Sequence, residues 1–267
     1  MLDLLGLSPR RLFPPGGREL YRQIARLTGM REGTEVLDVG CGAGVTLEYF
    51  VEEFGVHGAG IEEDARLVAE AEERVRRRGL GGQLQLQASP PGDLPYRDGI
   101  FDVVVGELRM TARTAPADAV AELVRVARPG GWVVVVQPVR TAPVDADGLR
   151  MLEDHLGVST LMLVEWKRLL REAGVERLHT EDWTDDETAF RPSVAKPFPD
   201  FAELFTVFEK VGILRRAWSR WGWSGVRAVL ARERAVHRLL TRERILALDL
   251  LVGVRGVPPP VDGGENR

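Results

Sequence analysis

Three glycines at alternate positions, in the stretch VLDVGCGAGVTLEYF, are the residues of this chain best suited to bind a ligand through the backbone. They follow Val36, Leu37 and Val39, which are typical of a buried parallel strand. They precede an amphipathic segment that begins near Val45 and is predicted to be a helix ending at Gly55, with Glu48, Glu52 and Glu53 on its polar side. Glycine lets the backbone approach a ligand closely, and the N–H groups at a helix N-terminus favour phosphates and nucleotides. The motif therefore predicts a nucleotide-like ligand.

The glycine spacing narrows the choice of ligand. The dinucleotide fingerprint G-x-G-x-x-G would place its third glycine at Val45, one residue after Gly44, so the spacing argues against NAD. Glu62 stands 22 residues after Gly40, at the end of the next predicted strand, and could accept hydrogen bonds from both ribose hydroxyls. Several adenosine-binding folds use an acid in this way, so Glu62 alone does not identify the ligand. An NAD-linked oxidoreductase stays as the less favoured alternative.

Alternating strands and helices position this motif. An amphipathic helix ending at Gly29 comes first, and further apolar runs predict strands that alternate with helices. Asp64 is placed to cap the helix that follows the second strand. This order predicts parallel pairing with right-handed crossovers, and hence a doubly wound α/β fold whose sheet is covered on both faces. The last apolar run, residues 245–256, could be an antiparallel strand or the end of a helix. The predicted strands after the first are residues 57–61, 84–88, 101–106, 132–139 and 175–183.

Composition limits the class of protein. A chain of 267 residues suits one sizeable α/β domain, and 44% hydrophobic with 28% charged residues is typical of a globular protein in water. The net charge of -4 gives no reason to expect nucleic acid as the main partner. No apolar run approaches the roughly 18 residues of a membrane span, and no secretion signal is recognised. The single cysteine, Cys41, fits a reducing compartment, so a cytoplasmic location is expected.

Four segments, in order, resemble the motifs of the class I S-adenosylmethionine-dependent methyltransferases, in particular the group that acts on small molecules. VLDVGCGAG resembles their first motif, GIEED the second, DLPYRDGIFDVVV the segment entering the fourth strand, and ELVRVARPGGWVVVV the turn into the fifth. FPPGGRELYRQIARLTGMREGTEVLDVGCG also resembles an N-terminal lead-in of some members. The resemblance covers residues 13–139. It implies a Rossmann-like methyltransferase fold with a seven-stranded, mostly parallel sheet, and S-adenosyl-L-methionine as the cofactor.

The resemblance also assigns cofactor contacts. Glu62 would hold the ribose, Glu63 would flank the adenine, and Gly106 would border the cofactor at the end of the fourth strand. The family usually has an acidic residue after the third strand to bind the adenine amino group, but this chain has Ser89 there. Asp93 could replace it if the loop folds inward. The residues implied at the methionine end are Asp38, Gly40, Cys41, Gly42 and Gly44.

Methyl transfer needs few catalytic side chains, because in-line positioning supplies most of the acceleration. Glu107, after the fourth strand, is the first candidate for a base or an acceptor contact, although a plain loop carboxylate is an equal alternative. Arg109 could anchor an acidic group of the acceptor. His155 is a further candidate, but a histidine on a predicted surface helix is more often solvated. No metal-binding motif occurs in the sequence, so no metal is predicted.

The C-terminal third departs from strand–helix alternation and is rich in aromatics and arginines. It could form a lid over an apolar or anionic acceptor, or rest on a membrane surface. The favoured interpretation is a helical subdomain with an aromatic core and solvated arginines. A cofactor-binding protein of this fold without catalysis is the alternative outside enzymes. The expected divisions are a lead-in (1–30), an α/β core (31–183), a helical insertion (184–244), a last core strand (245–257) and a disordered tail (258–267).

Overall fold

The computed structural model describes residues 13–184, 206–241 and 245–257. Phe201 and Phe205 of the predicted insertion, and the predicted tail, lie outside these ranges. The strands are β1 Glu35–Val39, β2 His57–Glu62, β3 Leu84–Ala88, β4 Phe101–Gly106, β5 Ala127–Arg140, β6 Leu161–Met162, β7 Val175–Asp182 and β8 Leu246–Arg255. The helices are α1 Gly17–Thr28, α2 Val45–Phe54, α3 Ala65–Arg77, α4 Pro116–Val126, α5 Ala146–Leu156, α6 Leu163–Glu172 and α7 Val207–Thr241, with a 3-10 turn at Leu108–Thr111.

One sheet runs in the order β3-β2-β1-β4-β5-β8-β7, and the two-residue β6 pairs with β5 beside this path. All its neighbours pair in parallel except β8, which is antiparallel to both β5 and β7. The predicted mostly parallel sheet is confirmed, with β6 as an addition. The winding direction reverses between β1 and β4. In open α/β sheets, ligands bind at the carboxyl ends of the strands at such a reversal.

Helices cover both faces of the sheet, which confirms the doubly wound prediction. On one face, α1, α2 and α3 bury a core that includes Leu20, Phe50 and Val68. On the other, α4 and α6 bury a core that includes Leu123 and Trp166. The strands alternate between the two cores, so that Val36 and Leu37 of β1 belong to opposite faces.

The last apolar run is a strand, and its helical alternative is wrong. The eight residues from Leu246 to Gly253 are all buried, and β8 hydrogen-bonds to a neighbour on each side. A central strand covered on both faces reads as a continuous apolar run, which periodicity alone cannot distinguish from a helix.

A buried acid interrupts this strand. Asp249 is 4% exposed and stands opposite Gln137 on β5 and Asp182 on β7. Burial, and then the charge of Asp182, raise the pKa of Asp249 to about 6, while Lys167 acts in the other direction. A free aspartate titrates near ~3.9, so the folded chain holds this proton more tightly than the unfolded chain. Its contribution to stability is complete below pH ~4 and is lost as the pH rises through 6.

Asp249→Asn removes this titration. We expect the free energy of unfolding at pH 8 to rise by about 1–3 kcal/mol, because the amide carries no charge to bury. At pH 4 the variant and the parent chain should differ little. Urea unfolding at the two pH values measures both quantities. A gain of equal size at both would show that ionisation of Asp249 is not the cause.

α7 lies outside the sheet and contacts α5 and β8. Gly222, with φ 66° and ψ 178°, breaks it into two helical parts. Both parts contribute to a small cluster that contains Ile213, Ala217, Val226 and Val229. The sequence-based interpretation expected the aromatics of this segment in a helical core, but those that the structure describes divide between this cluster and solvent. Trp221 packs against the cluster, whereas Phe208, Trp218 and Trp223 are 92%, 61% and 65% exposed.

Candidate functional site

The glycine turn joins β1 to α2 at the reversal point of the sheet. The N–H groups of Gly40 and Cys41 both donate to the carbonyl of Ile61, at 2.8 and 3.1 Å, and Gly44 donates to the carbonyl of Cys41 at 2.8 Å. The three glycines have φ values of 82°, 53° and 70°, which disfavour any other residue. The turn is thus fixed against the end of β2.

The three glycines are required for different reasons. A Cβ on Gly40 would lie 2.5 Å from the backbone nitrogen of Met110, and one on Gly44 would lie 3.1 Å from the Leu86 side chain. A Cβ on Gly42 would meet nothing closer than the Cδ of Arg109, at 3.8 Å. Only Gly42 therefore leaves space beside its backbone that a ligand can use.

A buried ion pair between α2 and α3 holds the glycine turn through the Ala43 carbonyl. Arg74 on α3 and Glu48 on α2 are 6% and 4% exposed, and the Arg74 guanidinium donates to the Glu48 carboxylate and to the Ala43 carbonyl. Arg78 adds a second bond to Glu48 at 2.7 Å. The predicted placement of Glu48 on the solvent side of its helix is wrong, because α3 packs there and brings Arg74 with it.

Arg74→Met tests this support. We expect it to lower the free energy of unfolding by about 3–5 kcal/mol, because a buried carboxylate then loses its buried cationic partner. Arg76→Met is the matched control on the same helix, since the Arg76–Glu73 pair is 75% and 50% exposed. Such a pair contributes about 0–1 kcal/mol. Equal losses in the two variants, measured by chemical denaturation, would contradict the supporting role.

A buried polar cluster lies beside the turn. It consists of Asp38 at the end of β1, Glu107 after β4, Tyr21 on α1 and Thr46 on α2, all at most 3% exposed. Tyr21, Thr46 and Asp38 lie close enough to affect the pKa of Glu107. Even so, within the described ranges both Asp38 oxygens, Glu107 Oε1 and the two hydroxyls have no partner that meets hydrogen-bond geometry. Buried polar atoms are rarely left unpaired, so these atoms are available to a ligand.

Burial controls the protonation of the two acids. It raises the pKa of Glu107 to about 7, an effect that contacts with Thr46, Tyr21 and Asp38 reduce and the charge of Glu62 increases. It also raises the pKa of Asp38 well above its usual value, and the neighbouring Glu107 raises it further. Two neighbouring buried carboxyls do not readily ionise together. A cation between them would reverse that preference.

Backbone contacts fix the position of Glu107. Its N–H donates to the Val39 carbonyl at 2.9 Å, and its carbonyl accepts from Gln137 Nε2 at 2.8 Å. Gln137 is fully buried on β5. Sequence reasoning did not single out Tyr21, Thr46 or Gln137. The available signal was a polar group placed within an apolar run, at Tyr21 on the buried face of α1 and at Gln137 inside a valine-rich strand.

Glu62, predicted to hold a ribose, is 2% exposed and accepts four hydrogen bonds. Its Oε2 accepts from Gly42 N at 3.0 Å and from Arg109 Nε at 2.9 Å. Its Oε1 accepts from Asp64 N and Arg109 Nη2, each at 3.0 Å. Arg109, predicted to anchor the acceptor, is thus bound to Glu62, the residue predicted to hold the ribose. The Oε1 of the adjacent Glu63 lies 3.8 Å from Arg113 Nη1.

Two other predicted cofactor residues have clear structural roles. Cys41 is buried, and this burial raises the pKa of its thiol well above the usual value, so it stays protonated at neutral pH. Gly106 is a glycine for packing: a Cβ there would lie 2.3 Å from the Met110 sulfur and 2.7 Å from Leu123. A larger residue at this position would therefore collide with Met110 and Leu123.

The predicted adenine contact lies in a self-contained loop. The Ser89 hydroxyl donates to the Asp93 carbonyl at 3.0 Å, and Asp93 N donates to the Pro90 carbonyl at 3.1 Å. The hydroxyl keeps lone pairs that can accept from an amine, while Asp93 is exposed. The backbone of His155 belongs to α5, and its side chain lies outside the described part of the structure.

The arrangement fits S-adenosylmethionine. Unpaired buried carboxylate oxygens suit an ammonium group, open space beside Gly42 admits a close ligand, and the Glu62 carboxylate suits a ribose. Within the described ranges, no group of three metal-binding side chains comes together. Two open cavities, of about 440 and 380 Å³, lie at the opposite, amino edge of the sheet and contain none of these residues.

Known proteins share this fold and these motifs. A family model described as "Methyltransferase domain" matches residues 37–135. The norajmaline N-methyltransferase of Rauvolfia serpentina is 26% identical over 206 residues, which cover 73% of this chain and 67% of that protein. A Haemonchus contortus phosphoethanolamine N-methyltransferase, solved with phosphomonomethylethanolamine and S-adenosylhomocysteine, superposes with a TM-score of 0.73 at 15% identity, covering 96% of this chain and 56% of that one. The [4+2]-cyclase SpnF superposes with a TM-score of 0.67 at 23% identity, covering 90% and 81%.

Proposed function

Because the chain belongs to the class I S-adenosylmethionine-dependent methyltransferases, we propose that it methylates a small organic acceptor by in-line transfer. The observation that carries this proposal is the buried polar cluster at the end of β1, whose carboxylate oxygens lack a hydrogen-bond partner among the residues that the structure describes. We assign residues 31–183 and 245–257 to the catalytic core. We also propose that the protein is located in the cytoplasm.

The sulfonium of the bound cofactor supplies an activated methyl group, so the task of the chain is to position the reactants. Asp38 and Glu107 hold the ammonium at the methionine end, and the Gly42 backbone lies along the cofactor. Glu62 accepts from the ribose hydroxyls, and the Ser89 hydroxyl accepts from the adenine amine. Glu107 is buried beside Asp38, so we assign it to cofactor binding and not to deprotonation of the acceptor.

The acceptor enters beyond the end of β4, where Arg109 follows Glu107 by two residues. This favours an acceptor with an anionic group. The solved phosphoethanolamine N-methyltransferase binds a phosphate-bearing compound, which gives the assignment a parallel within the fold. The cyclase shows why the fold alone does not establish transfer. A chain that binds the cofactor without methylating anything is therefore the alternative.

Calorimetric titration with S-adenosylmethionine, S-adenosylhomocysteine and NAD tests the cofactor site. We expect micromolar binding of the two adenosyl compounds, none of NAD, and loss of binding in Gly42→Val. A screen with methyl-labelled S-adenosylmethionine and small anionic or apolar acceptors then tests transfer. Cofactor binding with no labelled product from any acceptor would favour the non-catalytic alternative.

We further propose that α7 rests on an anionic membrane surface, where an apolar acceptor is available. Its exposed apolar side chains include Phe208, Trp218 and Trp223, and Arg215 and Arg220 are exposed between them. Tryptophan and arginine are favoured together at membrane interfaces. Within the ranges that the structure describes, no helix has the length and apolar character to cross a membrane.

Vesicle co-sedimentation measures this contact. The parent chain should bind phosphatidylglycerol vesicles more strongly than phosphatidylcholine vesicles, and Trp218→Ser/Trp223→Ser should lose the binding. Val164→Ser is the control, because Val164 is equally exposed, at 67%, on a different helix. Absence of binding by the parent chain, or equal binding by the three proteins, would refute the membrane contact.

A further inference from the structure

Arg109 occupies the place that the cofactor is proposed to take. Its guanidinium binds both oxygens of Glu62, and its side-chain stem passes over Gly42. With the N–H groups of Gly42 and Asp64, four donors fill the Glu62 carboxylate. A carboxylate has about four lone-pair sites, so a ribose diol can bind only if a donor leaves.

Arg109 is the donor that can leave. The N–H groups of Gly42 and Asp64 belong to the glycine turn and to the N-cap of α3, so the fold holds them in place. Arg109 belongs to the short 3-10 turn, and its side chain is 43% exposed, so water can solvate the released guanidinium. Glu62 is only 2% exposed, but the exchange does not leave its carboxylate unpaired, because the ribose hydroxyls replace the guanidinium as donors.

The exchange also preserves the charge of the site. Asp38, Glu62 and Glu107 bring three acids to the carboxyl edge of the sheet, all at most 3% exposed. S-adenosylmethionine carries a sulfonium and an ammonium against one carboxylate, and so has the same net charge as the guanidinium that it replaces. Arg113, four residues further along the chain, is a suitable control. It is 76% exposed, and its Nη1 lies 3.8 Å from Glu63 Oε1, which is too long for a hydrogen bond.

We propose that Arg109 closes the cofactor site of the free protein and, after the cofactor displaces it, binds an oxyanion of the acceptor. This inference rests on the proposed function. The released guanidinium stays two residues from Glu107, at the side where the acceptor enters, and its planar fork suits a carboxylate or a phosphate. The cofactor therefore binds first, and its binding creates the anion site.

Calorimetry of the full chain tests both steps without turnover. S-adenosylhomocysteine is titrated into the parent chain and into Arg109→Gln, Arg109→Lys and Arg113→Gln. We expect Arg109→Gln to bind it roughly three- to tenfold more tightly than the parent, because no ion pair has to be broken. Arg113→Gln should match the parent. Arg109→Lys, which loses the bidentate fork, should fall between the parent and Arg109→Gln.

Inorganic phosphate and acetate are then titrated with and without saturating S-adenosylhomocysteine. In the parent chain, at least one of them should bind only when S-adenosylhomocysteine is present, and the preferred anion identifies the acceptor group. Arg109→Gln should bind neither anion, whereas Arg109→Lys should retain binding.

The outcomes separate this inference from the proposed function. Equal or weaker S-adenosylhomocysteine binding by Arg109→Gln, with normal binding by the parent chain, overturns the closing role and leaves the cofactor site intact. Anion binding that does not depend on S-adenosylhomocysteine or on Arg109 overturns the anchor role. Failure of all four proteins to bind S-adenosylhomocysteine overturns the cofactor site itself, and the inference with it.

Discussion

Gly40→Ala is expected to leave little folded protein, whereas Gly42→Ala should fold and lose its affinity for the cofactor. Both residues have positive φ values, so alanine introduces a similar backbone strain of about 1–3 kcal/mol at each. They differ in the space available to a Cβ. At Gly40 the new atom would lie 2.5 Å from the Met110 nitrogen and 2.9 Å from the Arg109 carbonyl carbon.

A contact with backbone cannot be relieved by rotating a side chain, so β1 and the 3-10 turn would have to separate. Overpacking of this kind adds about 1–3 kcal/mol or more, so the total of about 2–6 kcal/mol reaches the lower part of the 5–15 kcal/mol stability of a typical folded protein. At Gly42 the Cβ meets no such barrier, but it fills the space proposed for the cofactor. We expect at least a tenfold loss of affinity there, about 1.4 kcal/mol.

Thermal unfolding and calorimetry with S-adenosylhomocysteine separate the two effects. Gly29→Ala is a suitable control, since Gly29 also has positive φ, at 67°, and a Cβ there would meet nothing within 4 Å. It should show the strain alone, with unchanged affinity. If Gly40→Ala were no less stable than Gly29→Ala, the close approach of the 3-10 turn to Gly40 would not be a constraint on the fold.

The sequence predicted the elements closely where local chemistry determines them. Gly29 and Gly55 end their helices with φ values of 67°, and the Asp64 side chain caps α3 by accepting from Arg66 N. Glycine relieves the strain of a left-handed cap, and aspartate satisfies a free N–H, so each residue specifies a boundary without help from distant residues.

Contacts between distant residues were beyond sequence reasoning. Glu48 looked like a solvent-facing acid because its helix pattern contains no information about Arg74, 26 residues away. Likewise, Tyr21 and Thr46 join Asp38 and Glu107 only because α1 and α2 cover the same face of the sheet. The predicted roles of Glu62 and Arg109 were separate, and only the three-dimensional structure shows that the two side chains bind each other.

Glu107→Gln should abolish the pH dependence of cofactor binding. The pKa of Glu107 in the free protein is about 7, so near neutral pH roughly half of the molecules carry its proton. The ammonium of S-adenosylhomocysteine favours the ionised form, so binding releases a proton. The affinity of the parent chain should therefore rise between pH 6 and pH 8. The glutamine variant cannot ionise, and its affinity should be roughly 10- to 100-fold lower at pH 8, the loss of a charge-assisted hydrogen bond.

Calorimetry in two buffers of different ionisation enthalpy counts the released protons. Asp249→Asn is the control, because it removes another buried acid of raised pKa, about 6, from the opposite face of the sheet. This control should keep the proton release and the pH dependence. Because a raised pKa makes the ionised acid costly, Glu107→Gln should also be more stable than the parent chain at pH 8 and similar to it at pH 4. If Glu107→Gln binds weakly but still releases a proton, the group that ionises on binding would be Asp38, the other acid of the cluster.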